Sequence, residues 1–420
     1  MAKPGSGTSN SPAPEGESEG RFRALVALQH RNYRLFYIAL IVAGLGGQIQ
    51  RTANVWQVYE LTHSTLHLGL TGLAQGLPIL ILSLIGGVLA DRVDRRRLIM
   101  VTQAVFGLLA MLMAVLTGTG LIQVWHIYIV TIITSALTAL NTPARSALIP
   151  NLVPKHHLLN AMALNSTVWQ ISNLLGPALA GACIAYTGLS STYGVNGAAH
   201  LTTLAALAVM HVGPVFGRPR QSPLKDIQEG LSFVRFRSII LLLLSMDVAA
   251  RFFGSYHVLL PVFADRLGVG PEGMGLLMSA PAAGGLIGSF LILSLGNVRY
   301  KGLMVVGGIL AYCFSLLILA VSPWFLLSLA ATASLGLFDS FNATPRNAII
   351  QSTTPDELRG RVSGFQSMLT SGGPAMGYAL SGGLAALLGA PLALVVGSVT
   401  CAAIILGLVS TRKELRAADL

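Results

Sequence analysis

Three ionisable residues lie inside long apolar runs of this chain, namely Arg51, Asp247 and Arg251. A charge within an apolar segment is unfavourable unless it is paired or serves a site, so such residues mark candidate functional positions. Asp247 and Arg251 are four residues apart, which puts them on one face of a helix as a self-neutralising pair. The guanidinium groups could bind an anionic or polar ligand, and the carboxylate could accept and release a proton.

Each of these assignments has an alternative. Arg51 falls about 18 residues into its predicted helix, roughly 27 Å from the start, so its side chain could instead reach the outer interface of a bilayer. Asp247 could serve only to compensate Arg251, because an adjacent guanidinium keeps a carboxylate ionised unless a ligand displaces it. Further candidates for carrying a proton are Glu60, His257 and Asp339. Polar side chains that could line the same site are Gln48, Gln50, Gln75, Asn165, Gln170 and Asn173.

The composition places these residues in a membrane protein. Of the 420 residues, 53% are hydrophobic and 10% are charged, whereas soluble domains carry about 25% charged residues. A formal charge of +11 would suit nucleic acid only on the basic face of a soluble domain. Here the basic residues form short clusters between apolar runs, so we predict a lipid bilayer as partner and no nucleic acid. The cysteines have no metal-ligand spacing, and we predict neither metal nor cofactor.

Long stretches without charge predict twelve membrane-spanning helices. A spanning helix needs about 20 mostly apolar residues, and four stretches without Asp, Glu, Lys or Arg are each long enough for two spans and a turn. These are residues 98–144, 156–217, 302–338 and 362–411, and residues 33–90 and 238–296 hold two more pairs. Turn signals lie within the four stretches at residues 117–120, 187–188, 322–323 and 388–391. The predicted fold is an all-α polytopic membrane protein of two six-helix bundles.

Lys and Arg fall on every second boundary between the predicted spans, apart from Arg266. By the positive-inside rule the basic loops and both termini are cytoplasmic, in a cell (inner) membrane. Ser222, Pro223 and an apolar face ending at Val234 predict a short amphipathic helix in the central loop. The predicted segments are a disordered tail, a first bundle, a linker, a second bundle and a second tail, at residues 1–20, 21–213, 214–237, 238–411 and 412–420.

The two halves of the chain repeat each other. At an offset of 201 residues, polar and glycine positions match over about fifty residues. Arg51 and Arg251 fall at nearly corresponding positions, at an offset of 200. An even number of spans separates the copies, so the repeat is parallel, an arrangement suited to one bundle rocking against the other around a central site. Matched pairs are Asn141 and Asn342, Arg145 and Arg346, Gly176 and Gly377, Gly181 and Gly382, and Gly188 and Gly389.

The sequence "GGVLADRVDRRRLI" resembles the signature loop between helices 2 and 3 of the major facilitator superfamily. Asp94 stands where that family usually has glycine, and aspartate is one of the few other residues that tolerate a left-handed turn. "GPALAG" resembles the superfamily's antiporter motif in helix 5, here Gly176, Pro177 and Gly181. "NTPARSALIPNLVP", "YELTHSTLHLGL" and "PDELRGRVSG" resemble the drug–proton antiporters that include macrolide and enterobactin exporters. The signature-loop matches are Gly87, Leu89, Ala90, Asp91, Arg92, Arg95 and Arg96.

The resemblance implies a role for these residues. The signature loop is expected to latch onto the start of helix 11, near Arg359 and Arg361, when the cavity faces outward. Asp91 and Arg95 could pair if helix 2 continues past the membrane surface. In the superfamily, helices 1 and 7 line the central cavity, which places Arg51 and Arg251 in it.

We therefore predict a monomeric secondary transporter, not an enzyme, that couples proton entry to efflux of a hydrophobic or amphipathic small molecule, drug or siderophore-like. An uncoupled facilitator or importer of a small metabolite is the alternative, because the first six spans hold no carboxylate apart from Glu60 near one edge. A transporter-like membrane sensor is a further alternative. An ATP-driven pump is disfavoured because the sequence has no Gly-x-x-x-x-Gly-Lys-Ser/Thr loop.

Overall fold

The computed structural model describes residues 23–211, 231–235, 237–296 and 300–411. Within these ranges the side chains of residues 23–24, 83–92, 371 and 411 are not described. Every regular element in the described part is a helix, which confirms the predicted all-α class.

The first half of the chain holds five long helices. They are α1 (Arg31–Thr62), α2 (Thr65–Arg92), α3 (Arg95–Gly118), α4 (Val124–Leu148) and α5 (Leu158–Val209), with 3-10 turns at Arg23–Gln29, Ile149–Asn151 and Lys155–His157. Gly188, at φ 83° and ψ 169°, divides the 52-residue α5 into two spans. Only glycine adopts this backbone conformation readily, so the Thr187-Gly188 signal correctly predicts a turn.

The second half repeats this arrangement with one difference. Its helices are α6 (Ser238–Phe253), α7 (Leu260–Arg266), α8 (Gly270–Leu295), α9 (Lys301–Val321), α10 (Phe325–Thr353), α11 (Asp356–Leu388) and α12 (Ala390–Thr411), with a 3-10 turn at His257–Leu259. α6 and α7 together form the seventh span, so this span is broken where α1 is continuous. Gly389, the repeat partner of Gly188, has a similar φ of 84° between α11 and α12.

The described helices account for twelve crossings of a membrane. Nine helical stretches in the described part are long and apolar enough to span a bilayer, and one of them, Lys155–Val209, is 55 residues long and counts twice. α1 and α11, of 32 and 33 residues, have sufficient length but are too polar to be among the nine. The two most polar long helices lie next to the central cavity described below, which explains their low hydropathy.

Three apolar clusters show how the two bundles are arranged. We call the end where α1, α3 and α5 begin the basic end, because the Lys and Arg clusters lie there, and the other end the opposite end. At the basic end each bundle has its own core, one built around Tyr33, Phe36 and Leu148 and the other around Ile240, Val305 and Ile349. At the opposite end a single core joins both bundles. The bundles are therefore closed together at the opposite end and separate at the basic end.

Glycines allow close backbone contacts between the two bundles. Gly181 of α5 lies against Gly275 of α8, and its repeat partner Gly382 of α11 lies against Gly69 of α2. A Cβ atom at Gly181 or Gly382 would clash with the backbone of the other bundle. Because these glycines have no side chain, the backbone of α5 can contact that of α8, and the backbone of α2 can contact that of α11.

Packing shows that the repeat has a second offset. Gly176 lies against the Leu45 carbonyl, whereas Gly377 lies against the Arg251 carbonyl, so Arg251 corresponds to Leu45 at an offset of 206. The starts of α3 and α9, Arg95 and Lys301, have the same offset. The predicted correspondence of Arg51 with Arg251 is therefore wrong. α4 starts 29 residues after α3, whereas α10 starts 24 residues after α9, so the offset falls from 206 to 201 between the third and fourth spans of the second half.

The loop between α2 and α3 also differs from the prediction. α2 ends at Arg92 and a new helix starts at Arg95, so Asp91 and Arg95 do not share one helix. Asp94 has a φ of −58°, outside the left-handed region, and its carboxylate accepts a hydrogen bond from the Arg96 N–H as the N-cap of α3. Asp94 therefore supplies an N-cap at the position where the family usually has glycine. The side chains at positions 87, 91 and 92 lie outside the described residues.

Most of the predicted linker, residues 214–237, also lies outside the described part. Residues 231–235 are helical, with Val234 buried in the core of the second bundle and Leu231 exposed. The predicted tails at residues 1–20 and 412–420 are likewise not described.

Candidate functional site

Two connected cavities lie between the bundles. The larger has a volume of about 1270 Å³ and reaches the basic end, where it is bordered by the last turn of α4 and the first turns of α11. The smaller, about 560 Å³, extends into the second bundle beside α6, α8 and α10. Residues from α1, α2, α5, α6 and α11 line both cavities and form their junction, namely Gln48, Arg51, Val55, Gln75, Trp169, Arg251 and Tyr378.

The larger cavity is lined by four arginines. They are Arg51, Arg145, Arg251 and Arg361, and no Asp or Glu is found among its described lining residues. Arg51 is exposed to this cavity from the middle of α1, so the structure places its side chain in the site and not at the outer interface. Neither Arg51 nor Arg145 makes a hydrogen bond or an ion pair to any described residue. The cavity therefore presents positive charge that the described side chains leave uncompensated.

Asp247 lies between two arginines in the second bundle. Arg251, one helical turn along α6, donates to its carboxylate at 3.1 Å, and Arg346 of α10 forms a second ion pair with it. Asp247 and Arg346 are nearly inaccessible, with 3% and 2% of their side chains exposed. Arg346 was predicted only as a repeat position, so its pairing with Asp247 was missed. The repeat could not have revealed this ion pair, because the first bundle has no matching one. Arg145, the copy of Arg346 there, has no carboxylate partner among the described residues.

The other residues predicted to carry a proton lie in two different places. Asp339 and His257 line the smaller cavity, on the same side as Asp247. Glu60 is exposed near the opposite end of α1, outside both cavities. The described part of the site therefore offers Asp247 and Asp339 as its carboxylates.

The predicted asparagine repeat is buried in both bundles. Asn141 and Asn342 are 4% and 3% exposed, and the side-chain oxygen of each has no hydrogen-bond partner in the described structure. Asn141 lines the larger cavity and Asn342 the smaller one. The two copies occupy matching places, although only the second copy's arginine, Arg346, is paired.

The junction contains two predicted glutamines and two aromatic residues, Trp169 and Tyr378, that the sequence analysis missed. Gln75 lines both cavities, and the Gln48 amide donates a hydrogen bond to Asn173 of α5. Trp169 lies on α5 between Asn165 and Asn173, at i, i+4 spacing from both. These asparagines were predicted to line the cavity, so the same helical periodicity could have identified Trp169.

The helix 5 motif is a packing element in this structure. A Cβ at Gly176 would clash with Gln48 of α1, and Gly181 contacts α8. Pro177 lines the smaller cavity, and α5 continues through it, since Gly188 is the residue with non-helical dihedral angles within this helix. The adjacent Ala178 N–H donates to the Ser279 hydroxyl of α8 at 3.0 Å, which joins the two bundles.

Three of the predicted gate arginines, Arg95, Arg96 and Arg359, have contacts within their own bundles. Arg95 donates to the Ala147 carbonyl at 2.9 Å, and Arg96 donates to the Leu207 carbonyl, so both tie α3 to neighbouring helices. Arg359 pairs with Asp356 of its own helix at 2.7 Å. Arg361 lines the larger cavity. The predicted latch stays a prediction, because the side chains of Asp91 and Arg92 lie outside the described residues.

Two pseudo-symmetric six-helix bundles around a central cavity define a transporter of the major facilitator superfamily, a multi-pass membrane protein. The family described as "Transmembrane secretion effector" matches residues 23–420, and the chain belongs to this family. The resemblance to the superfamily drawn from the signature loop is thereby confirmed.

Comparisons with individual proteins agree with this family. Over 362 residues the chain is 25% identical to the enterobactin exporter EntS of Shigella boydii serotype 18, covering 86% of each protein. EntS of Escherichia coli O1:K1 gives the same identity and coverage.

Solved structures show the same fold. The nucleoside transporter NupG matches with a TM-score of 0.72 and 13% identity, over 90% of this chain and 98% of that one. A bacterial homolog to the human lysosomal transporter Spinster, inward-facing and unoccupied, matches with a TM-score of 0.67 and 14% identity, over 93% and 97%. The relatives and neighbours are transporters, which points away from an enzyme.

Proposed function

We propose that this protein is a secondary transporter that exports an anionic amphipathic small molecule by alternating access. The observation that carries the proposal is the larger cavity, which is lined by Arg51, Arg145, Arg251 and Arg361 and by no carboxylate among the described residues. Guanidinium groups attract anions and repel cations. Apolar residues beside them, among them Phe106 and Met368, suit the hydrophobic part of an amphipathic ligand.

The direction of transport is inferred from the curated relatives, which are exporters, and the open end of the cavity fits loading from the cytoplasm. The larger cavity reaches the basic end, and the positive-inside rule assigns that end, with both termini, to the cytoplasm of a cell (inner) membrane. A ligand would then load from the cytoplasm. The curated relatives named above are exporters, which supports the same direction and a siderophore-like or drug-like substrate.

For proton coupling we assign Asp247 as the proton carrier. In the structure its carboxylate is held in ion pairs with Arg251 and Arg346, and we place proton exchange at the step in which Arg251 is drawn away from Asp247. An anionic substrate bound to Arg251 would have this effect. If both ion pairs of Asp247 persist during transport, the protein is an uncoupled facilitator, which is the second candidate. The membrane potential alone then drives the anion outward, by about 2.3 kcal/mol per charge per 100 mV.

Transport into inverted membrane vesicles separates these possibilities. Two dyes with the same ring system and opposite charge, carboxyfluorescein and rhodamine 6G, would be offered together with enterobactin. We expect uptake of carboxyfluorescein and none of rhodamine 6G, and loss of uptake in Arg51→Gln. Uptake of rhodamine 6G alone, or equal uptake of both dyes, would contradict an anionic substrate.

The same vesicles test the coupling. A pH gradient, acid inside, is imposed in one series, and a potential, positive inside, is imposed in the other. Proton coupling through Asp247 predicts uptake driven by the pH gradient that disappears in Asp247→Asn. Uptake that follows the potential alone, and to the same extent in the variant, would establish the facilitator.

A further inference from the structure

Trp169 has an unusual environment for a tryptophan of a membrane protein. Its side chain is 59% exposed, and it lines both cavities at their junction. It lies eleven residues after Leu158, the start of α5, which is about 17 Å along the helix axis. The indole is therefore exposed to the interior of the site at mid-membrane depth.

Two ordinary roles for tryptophan do not fit this position. A tryptophan that anchors a protein at the membrane interface lies near a helix end, as do Trp125 and Trp324, beside the starts of α4 and α10. A tryptophan that stabilises the core is largely buried. Trp169 is neither at a helix end nor buried, so its aromatic face is free to contact a ligand.

The neighbours of Trp169 at the junction restrict the kind of ligand. Arg51, which has no ion-pair partner among the described residues, and Arg251, which is paired with Asp247, both line the junction together with Tyr378. An organic cation could stack on an indole, but the uncompensated charge of Arg51 would repel it. A ligand with an acidic group and an aromatic ring fits both the arginines and the indole. Its acidic group would bind the arginines, and its ring would stack on Trp169.

We propose that the substrates of this transporter are aromatic acids and that Trp169 is the residue that selects them. This inference rests on the proposed function and narrows its substrate class. Arg51 and Arg251 bind the acid, and the indole face binds the planar ring. An aliphatic acid of the same size and charge keeps the contacts with the arginines but lacks the stacking partner.

Isothermal titration calorimetry on the purified full-length protein tests this selection. The probes are 2-naphthoate and decalin-2-carboxylate, which share one carbon skeleton and one charge but differ in aromaticity. We expect the wild-type protein to bind 2-naphthoate roughly tenfold more tightly. Trp169→Ala should remove this preference, Trp169→Phe should keep most of it, and Trp125→Ala, which removes an exposed tryptophan outside the cavity, should leave it unchanged.

The outcomes separate this inference from the proposed function. Equal binding of the two acids by the wild-type protein, or a preference that survives in Trp169→Ala, overturns the selection of aromatic acids. If Arg51→Gln still weakens both acids in that case, the anion site stands. If the wild-type protein binds neither acid, the anionic substrate fails and the aromatic selection fails with it. Trp169→Phe keeps the test decisive if Trp169→Ala does not fold.

Discussion

Asp247 and Arg346 form a buried ion pair between α6 and α10, whereas the repeat copy of Arg346, Arg145, has no ion-pair partner among the described residues. One bundle therefore neutralises its arginine internally, and the other presents it to the cavity. Arg346 therefore helps to hold the second bundle together, whereas Arg145 is available to a substrate.

The first prediction concerns the stability of this pair. Arg346→Gln leaves the buried Asp247 carboxylate with one ion-pair partner, and removing one member of a buried pair costs about 3–5 kcal/mol. We expect a clear fall in the apparent unfolding temperature of the protein in detergent. Arg145→Gln removes an arginine from the matching helix without breaking an ion pair and should leave that temperature nearly unchanged. Equal falls in the two variants would contradict the asymmetry.

The second prediction concerns anion binding by the unpaired arginines. Arg51→Gln and Arg145→Gln each remove a charge that faces the larger cavity. A hydrogen bond to a charged group contributes about 1.5–3 kcal/mol, so the dissociation constant for carboxyfluorescein should rise by roughly 10- to 100-fold. Fluorescence anisotropy at two salt concentrations measures this. Arg359→Gln, a variant of an exposed arginine outside both cavities, is the control. Unchanged affinity in both cavity variants would rule out these residues as anion ligands.

The third prediction concerns the cap of α3. Asp94→Ala removes the side chain that accepts the Arg96 N–H, and the loss of an N-cap costs about 1 kcal/mol. Asp94→Asn keeps an acceptor, and Asp94→Gly restores the family's residue, so both should cost only a few tenths of a kcal/mol. Unfolding temperatures measured for the three variants under one condition check the order. If Asp94→Gly is as unstable as Asp94→Ala, the capping role is wrong.

The fourth prediction concerns the closed end of the cavity. The Tyr59 hydroxyl of α1 donates to the Asp265 carboxylate of α7 at 2.7 Å and joins the two bundles there. Tyr59→Phe removes this bond and should raise the population that is open at the opposite end. Labelling of a cysteine introduced near that end, by a membrane-impermeant reagent, measures the change.

A matched tyrosine provides the control for that experiment. The Tyr193 hydroxyl lies within hydrogen-bond distance of the Asn54 and Gln57 side chains, both in the first bundle, so Tyr193→Phe removes a hydroxyl without affecting the junction of the bundles. Its labelling should stay at the wild-type level. If the two variants label equally fast, the Tyr59–Asp265 bond does not hold this end closed.

The fifth prediction concerns the glycine contact between the bundles. Gly181→Ala places a Cβ against the α8 backbone, which cannot move aside as a side chain would. We expect transport to fall several-fold because the bundles cannot close at this contact. Gly194→Ala changes a glycine of the same helix that has open space around it, and should leave vesicle uptake at the wild-type rate. Normal uptake by Gly181→Ala would show that the contact is not needed.

The sequence by itself determined the fold and its repeat. Twelve spans follow from local properties, because charge-free length decides where a helix can cross a bilayer and glycines such as Gly188 and Gly389 decide where it turns. The ion pair of Asp247 with Arg251 also follows from local spacing. Each of these features involves residues close together in the chain.

Only the tertiary structure decided which charges are paired and which face the cavity. Arg346 reaches Asp247 across 99 residues, and no local pattern predicts a contact at that separation. The register of the repeat was misjudged from Arg51 and Arg251 because identical residues can match by chance, whereas the contacts of Gly176 and Gly377 report actual packing. Trp169 shares a helix face with Asn165 and Asn173, so its spacing was available in the sequence, but only the packing of the two bundles shows that its ring borders both cavities.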